Sequence, residues 1–326
     1  WITLRSSMGG ELVSYSDKNY NYRFLNDEVT FLTAGGNQLN PKSNLSVYKE
    51  NNFRWVWDNT VTFNKKIDAH TFTLLVGSTA EEYTAENIRA FRQDVPADKN
   101  LWYIGTGDAN TSTNGGGGEK WTRSAYLSRL NYNFDDRFLF TGTMRYDGSS
   151  RLSKDNRWGF FPSVGAGWVL TNESFLKDVN YLDNLKLRAS WGKVGNDRVP
   201  TDAFVVTLEP NQNYPFGGGL AVPGSAITQI KDPNLKWEIT EELDFGLDFG
   251  FLKNRLTGEI GYYTKTAKDL LINVNVPSVV GDADGLVLTN AASIKNTGLE
   301  IAANYRSVAK KNFSYSIGGN ATFNKN

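Results

Sequence analysis

Cysteine is absent from the 326-residue sequence, and there is one histidine. Without cysteine the chain can form no disulfide bond, thiol nucleophile or cysteine-ligated zinc site. A single histidine also excludes a site built from several imidazoles. The 35 acidic residues balance the 35 basic ones, whereas nucleic-acid-binding surfaces carry a basic surplus. The composition therefore argues against nucleic acid as a partner, and we expect no metal site.

Long hydrophobic runs are also missing. Nowhere are there about 18 consecutive apolar residues, which excludes a transmembrane helix. The N-terminal residues Trp1–Arg5 show no basic segment followed by an apolar stretch, so no signal peptide is visible, and the sequence does not begin with Met. We expect a chain that has been processed or excised from a longer protein.

Aromatic residues are abundant, and they alternate with polar residues along most of the chain. Between Leu243 and Phe251 every second residue is apolar, and the residues between them are acidic or glycine. Side chains on a strand point alternately to opposite faces, so this period predicts strands with one apolar face. About eleven strands are predicted, at 1–15, 52–65, 70–83, 121–134, 138–148, 157–170, 185–195, 236–250, 254–266, 291–306 and 312–326.

Strand length and loop length both favour a membrane protein. Several predicted strands reach a dozen residues, and about 9–11 residues suffice to cross a bilayer at a tilt. The connections alternate between tight turns and long loops, as in outer-membrane barrels. Tight turns are predicted near 66–69, 135–137, 251–253 and 307–311, a connection of modest length at 171–184, and long loops at 16–51, 84–120, 196–235 and 267–290. Only 149–156 is short where a long loop is expected. We predict an all-β, antiparallel, up-and-down transmembrane β-barrel segment in a cell outer membrane.

An ordered series of motifs then identifies a family. From about Ser124 to the C-terminus the series resembles the SusC/RagA-type TonB-dependent outer-membrane transporters. The motifs that carry the resemblance include Asp147–Arg151, Asn156–Ser163, Leu185–Gly192, Leu235–Glu238 and Asn296–Glu300.

The resemblance implies a barrel of twenty-two strands, an internal plug and a TonB-contacting segment. It also implies import of an oligosaccharide or peptide, in Bacteroidota, with a SusD-like surface lipoprotein as a lid. Transport of this kind is not enzymatic, so we expect no enzyme activity and no cofactor. Eleven strands are half of such a barrel, and the sequence shows neither plug nor TonB box. Residues 1–326 are therefore expected to be part of the transmembrane barrel domain. A passive porin or structural barrel, and a soluble surface β-rich adhesin, remain the alternatives.

Two sets of residues are candidates for function. Charged residues on the polar side of the strands are expected to line a lumen: Arg129, Arg145, Lys186, Arg188, Glu242, Asp244, Asp248, Glu259 and Glu300. They can equally serve only to pair across strands. Aromatic and acidic residues of the long loops are candidate substrate contacts: Trp102, Tyr103, Asp108, Tyr214 and Phe216. These rings can instead pack the loops together or against a lid protein.

Four other features are assigned no chemistry. Asp147–Arg151 is interpreted as a self-hydrogen-bonding turn. Asp282–Gly285 resembles the start of a calcium loop but lacks its later acidic ligand. Gly115–Gly118 is interpreted as a flexible loop tip, since the phosphate-loop pattern is not met. His70 is placed on the apolar side of a strand at a tight turn, where a metal or triad role is not expected.

Overall fold

A computed structural model describes residues 1–24, 40–176, 179–210, 212–215, 219, 221–227, 229–277, 285–308 and 313–326. Strands dominate these ranges, and the helices found there are four single 3₁₀ turns, η1 to η4. The strands are β1 Ile2–Asn21, β2 Asn44–Ile67, β3 His70–Gln93, β4 Thr113–Phe134, β5 Phe138–Ser149, β6 Trp158–Val169, β7 Leu182–Asn196, β8 Glu209–Pro210, β9 Tyr214–Pro215, β10 Ala221–Val222, β11 Ser225–Ala226, β12 Glu238–Phe251, β13 Leu256–Asn275, β14 Leu286–Arg306 and β15 Ser316–Lys325. The 3₁₀ turns are Lys99–Leu101, Ile104–Thr106, Ala109–Thr111 and Leu170–Asn172.

Eleven strands form one sheet in the order β1-β2-β3-β4-β5-β6-β7-β12-β13-β14-β15. Neighbours in the sheet follow one another in the chain, apart from the step from β7 to β12, so the predicted antiparallel up-and-down arrangement is confirmed. The intervening segment carries two short ribbons, β8 with β11 and β9 with β10. No helix in the described part of the chain is long and apolar enough to cross a membrane.

The chain divides into two compact units. The first comprises Trp1–Ser7, Trp57–Ala80 and Thr122–Asn326, and the second comprises Met8–Val56 and Glu81–Trp121. In the second unit Leu45 and Val95 are buried, and the Ser43 hydroxyl donates a 2.7 Å hydrogen bond to the Val95 carbonyl. The first unit holds β5 to β15 whole, and its strand pairing defines the faces considered below.

The strand registers separate apolar from polar side chains in the first unit. In an antiparallel pair, residues directly opposite each other point to the same face. Phe245 lies opposite both Ala189 and Tyr262, and Leu247 lies opposite Leu187 and Ile260. These residues define the apolar face of the sheet. Other exposed members of this face are Tyr126, Phe138, Phe140, Met144, Tyr146, Phe160, Val164, Trp168, Leu243, Leu299, Ile301 and Phe323.

The tight turns have the backbone that short hairpins require. Asp135 and Asp136 have φ of 53° and 51°, and Lys253 and Asn254 have φ of 63° and 55°. Positive φ at successive turn residues matches the twist of the flanking strands. The Arg137 guanidinium donates hydrogen bonds of 2.6 and 3.0 Å to the Glu173 carboxylate. These bonds raise the pKa of Arg137 and join the turn at 135–137 to the connection between β6 and β7.

The strands near long loops extend further than the sequence predicts. β2 begins at Asn44 and β3 ends at Gln93, and β4 begins at Thr113, so the loops predicted at 16–51 and 84–120 are too long. The interpretation of Gly115–Gly118 as a loop tip is wrong, because these glycines lie in β4. A Cβ at Gly116 would lie 2.7 Å from the Asn87 carbonyl oxygen, so a close approach of backbones favours glycine there.

A buried apolar cluster lies at the loop end of the first unit, and we call it the loop-end cluster. Its members are Leu152, Phe161, Val199, Ala203, Leu235 and Trp237. The rings of Phe161 and Trp237 meet edge to face at 5.2 Å, and the Trp237 indole donates a 3.1 Å hydrogen bond to the Arg157 carbonyl. The Arg123 guanidinium holds Asp197 at 2.5 and 2.7 Å. Several of these residues belong to the motifs, so the motifs build the base of the loops.

Candidate functional site

The polar face of the sheet carries the charges that the sequence analysis selected. The registers place all nine of them on the face opposite Phe245 and Leu247: Arg129, Arg145, Lys186, Arg188, Glu242, Asp244, Asp248, Glu259 and Glu300. The alternation between polar and apolar residues was therefore sufficient to group them. The sequence could not predict which of these charges lie next to each other on neighbouring strands.

Arg188 is the centre of this face. Its guanidinium donates hydrogen bonds to Asp244 at 2.8 Å, to Asp248 at 3.1 Å and to Glu259 at 3.3 Å. The Lys186 ammonium lies 3.7 Å from the Asp248 carboxylate. One side chain on β7 thus reaches β12 and β13. This Arg188 network joins three strands through charge-assisted hydrogen bonds.

Glycines make room for the network. The guanidinium lies across Gly246, where an added Cβ would overlap the Arg188 Cζ and Nε atoms. Gly261 lies opposite Gly246 on β13, and an added Cβ there would lie 3.8 Å from the Arg188 Nη2 atom. The two glycines let a long side chain lie flat on the sheet instead of projecting from it.

The remaining charges on this face have simpler surroundings. Arg145 pairs with Asp147 at 2.7 Å, and the Arg129 guanidinium donates a 3.1 Å hydrogen bond to the Thr143 hydroxyl. Lys265 lies 3.7 Å from Glu242. Glu300 lies opposite Gly261 and Thr322. Cross-strand pairing therefore accounts for most of the charges, and carboxylates outnumber cations around Arg188.

A shallow trough of about 560 Å³ lies next to the network on the same face. Small residues form its floor, among them Ser163, Gly165, Ser190 and Gly192. Its rim carries hydroxyl and charged groups: Arg129, Thr141, Thr143, Thr240, Glu242 and Lys265. The hydroxyl residues were not selected from the sequence. The signal was available, because they alternate with the apolar residues of β5 and β12.

Three of the loop candidates lie in the second unit, between β3 and β4. The Trp102 ring stacks on Tyr20 at 4.5 Å, and the Asp108 carboxylate accepts a 2.9 Å hydrogen bond from the Asn110 amide at the start of η3. Tyr103 is 60 % exposed, and the Lys18 ammonium lies 4.8 Å from its ring centre. Trp102 and Asp108 thus help to shape the loop, and Tyr103 offers its ring to solvent.

The other candidate residues divide between described and undescribed parts of the chain. The backbone of Tyr214 belongs to β9, whereas Phe216 lies outside the described residues, as do 282–284 of the calcium-like stretch. The His70 Nδ1 atom lies 2.8 Å from the Tyr132 hydroxyl, and the imidazole packs against Phe72 and Phe134. The histidine therefore lies in an aromatic group at the tight-turn end.

A sheet with an exposed apolar face, a hydrogen-bonded polar face and tight turns at one end is the wall of a membrane β-barrel. The comparisons with known proteins identify the kind of barrel. The chain belongs to the family described as TonB-dependent receptor-like, beta-barrel, whose model matches residues 3–326. It is an outer-membrane protein, and the predictions of family, fold class and location are confirmed.

Relatives and solved structures agree with this membership. The chain is 34% identical over 336 residues to the TonB-dependent receptor SusC of Bacteroides thetaiotaomicron, covering 97% of this chain and 33% of that protein. It is 32% identical to the TonB-dependent receptor P3 of Formosa agariphila, covering 82% and 26% respectively. The structure of the RagAB peptide transporter matches with a TM-score of 0.85 and 26% identity, covering 99% of this chain and 34% of that one.

The chain thus spans about a third of the length of the relatives that it matches. These relatives come from Bacteroidota, as the resemblance implied. They are receptors and transporters, which confirms the prediction that the protein is not an enzyme.

Proposed function

We propose that this chain forms part of the barrel wall of a TonB-dependent importer that takes up an oligosaccharide or a peptide. The observation that carries the proposal is the polar face, on which the Arg188 network and the adjoining trough gather charges and hydroxyl groups. In a barrel wall this face would line a water-filled interior. Such an interior suits a hydrophilic solute. The 34% identity to SusC and the fold of the RagAB peptide transporter support it.

We further propose the partners that the family resemblance implies. A plug and a TonB-contacting segment would come from the rest of a longer protein, and residues 1–326 would all belong to the barrel domain. A SusD-like lipoprotein would close over the long loops. Tyr103, with Trp102, Asp108, Tyr214 and Phe216, would contact the substrate or the lid, and the nine charged residues of the polar face would line the lumen.

Conductance of the full-length protein in planar lipid bilayers tests the importer against a porin. A plugged importer is expected to show no steady open-pore current, because the plug fills the lumen. A stable ohmic current would overturn the importer and favour the passive porin. In cells, uptake is expected to require TonB, so equal uptake in a strain without TonB would also contradict the proposal.

The lid and the contact residues need a separate test. A tagged full-length protein extracted in mild detergent is expected to co-purify one surface lipoprotein. Tyr103→Ala is expected to weaken uptake without changing the amount of protein in the membrane, because the ring is exposed. Thr111→Ser in the same loop is the control. Unchanged uptake in Tyr103→Ala would remove Tyr103 from the contacts.

A further inference from the structure

Four lysines lie together on the apolar face of the sheet, at its loop end. The registers place Lys193 opposite Glu241, Glu241 opposite Thr266, and Thr266 opposite Lys295, in one row across four strands. Lys268 lies opposite Ile239, nearer the loops, and Lys325 lies opposite Thr297, nearer the tight turns. We call Lys193, Lys268, Lys295 and Lys325 the lysine patch.

The lysine patch begins where the band of apolar residues on the apolar face ends; we call this band the apolar belt. On β12 the outward residues from Leu243 to Phe251 are apolar, over about 26 Å of strand at ~3.3 Å per residue. A strand tilted by about 35–45° covers about 20 Å of height over this length. A membrane barrel presents an apolar band about 25 Å tall. On β13 the change from apolar to polar falls between Tyr262 and Thr264, one residue pair nearer the tight turns than on β12. The lysine patch therefore lies at the height of the lipid headgroups.

Most carboxylates of these strands lie on the polar face, where Lys186, Arg188 and Lys265 accompany them. Glu242, Asp244, Asp248, Glu259 and Glu300 lie on the polar face. At the level of the lysine patch, Glu241 is the one carboxylate on the apolar face of the described strands β7 and β12 to β15. It accepts hydrogen bonds from the Trp191 indole at 3.0 Å and from Lys268 at 2.8 Å. Lys268 is thereby held against the wall, and the patch keeps a net positive charge.

We infer that the lysine patch binds the phosphate groups of lipopolysaccharide in the outer leaflet. Long loops of outer-membrane barrels face the outside of the cell, which places the patch in that leaflet. Lysines near a membrane surface attract anionic headgroups, and ammonium–phosphate hydrogen bonds are charge-assisted. The acyl chains would lie on the exposed belt below, where Phe245 is 50% and Tyr262 is 49% exposed.

Native mass spectrometry of the full-length protein in detergent, titrated with diphosphoryl lipid A, tests the inference. The variant Lys193→Gln/Lys295→Gln/Lys325→Gln removes three charges and leaves the Glu241–Lys268 pair intact. Its Kd for lipid A is expected to rise by roughly 10- to 100-fold, given the surface attraction of each lysine. The matched control Lys66→Gln/Lys154→Gln/Lys253→Gln removes the same charge from exposed positions elsewhere and is expected to stay within about twofold of the wild type.

Three results would overturn the inference. An unchanged Kd in the triple patch variant would show that the lysines do not bind lipid A. Equal affinity for lipid A stripped of its phosphates would remove the phosphate contact. Equal affinity for phosphatidylglycerol would assign the patch to phospholipid instead. Should the triple variant fail to fold, as judged by heat-modifiable migration in gels, Lys295→Gln alone is expected to raise the Kd by about fivefold.

Discussion

In the loop-end cluster Leu152 and Leu235 are 0% exposed, whereas Phe245 on the apolar face of the sheet is half exposed. Both regions are rich in leucine and aromatic residues. The cluster packs its side chains against protein, and its members come from segments far apart in the chain. The apolar face packs against lipid, so its side chains need no protein partner and its strands are held mainly by backbone hydrogen bonds.

This difference shows that the hydrophobic residues of one chain respond to two different solvents, water and the lipid bilayer. Around the cluster the solvent is water, and burial lowers the free energy as in a soluble domain. Along the belt the solvent is the bilayer, and exposure of the same residue types is favourable. Different substitutions should therefore destabilise the two regions. Loss of side-chain volume should destabilise the cluster, and gain of charge should destabilise the apolar face.

The largest effect is expected from Leu235→Ala in the loop-end cluster. Leu235 is fully buried, so truncation leaves a cavity that costs about 2–5 kcal/mol. Hydrogen exchange of the backbone amides in 197–210 and 229–237, measured by mass spectrometry on the full-length protein, should accelerate accordingly. Leu235→Met, which keeps the volume, should cost less than about 1.5 kcal/mol. Equal exchange in Leu235→Ala and the wild type would show that the cluster does not hold the loops.

Leu247→Arg tests the apolar face. Leu247 lies near the middle of the apolar belt, where an arginine costs about 2–4 kcal/mol. The control is Thr297→Arg at the edge of the belt, where the expected cost is about 0–1 kcal/mol. Both are measured by folding into lipid vesicles. A neutral Leu247→Arg would mean that this face does not contact lipid, and the contrast with the cluster would disappear.

The same contrast explains how much could be predicted from sequence. β5 was predicted at 138–148 and spans Phe138–Ser149, and β6 was predicted at 157–170 and spans Trp158–Val169. Alternation is strong there because one side of the strand faces lipid. Where β4 runs through Gly115–Gly118, no side chains alternate, so the first part of this strand, 113–120, was missed although 121–134 was predicted. The loop-end cluster was also missed, since a period of two carries no information about packing between distant segments.

The candidate site divides in the same way. Face assignment follows from alternation, and the registers place the nine charged residues together on the polar face. The reach of Arg188 to Asp244, Asp248 and Glu259 depends on strand register, which the sequence does not encode locally. The role of Gly246 also depends on register, since it is opposite Arg188 on the neighbouring strand.

Gly246→Ala gives the smallest expected effect, and it extends the comparison to the polar face. The added Cβ would overlap the flexible end of Arg188, so the guanidinium must move and the Arg188 network weakens, at a cost of about 1 kcal/mol. In an Arg188→Ala background nothing from Arg188 obstructs the Cβ, and alanine should be neutral or stabilising, since glycine costs about 0.5–1 kcal/mol in a strand. A double-mutant cycle in vesicles measures this change of sign.

Gly165→Ala on the same face is the control, because its Cβ would meet only ordinary contacts at 3.7 Å or more. If Gly246→Ala costs the same in both backgrounds, the glycine does not serve Arg188, and the polar face would depend on its local backbone rather than on the network.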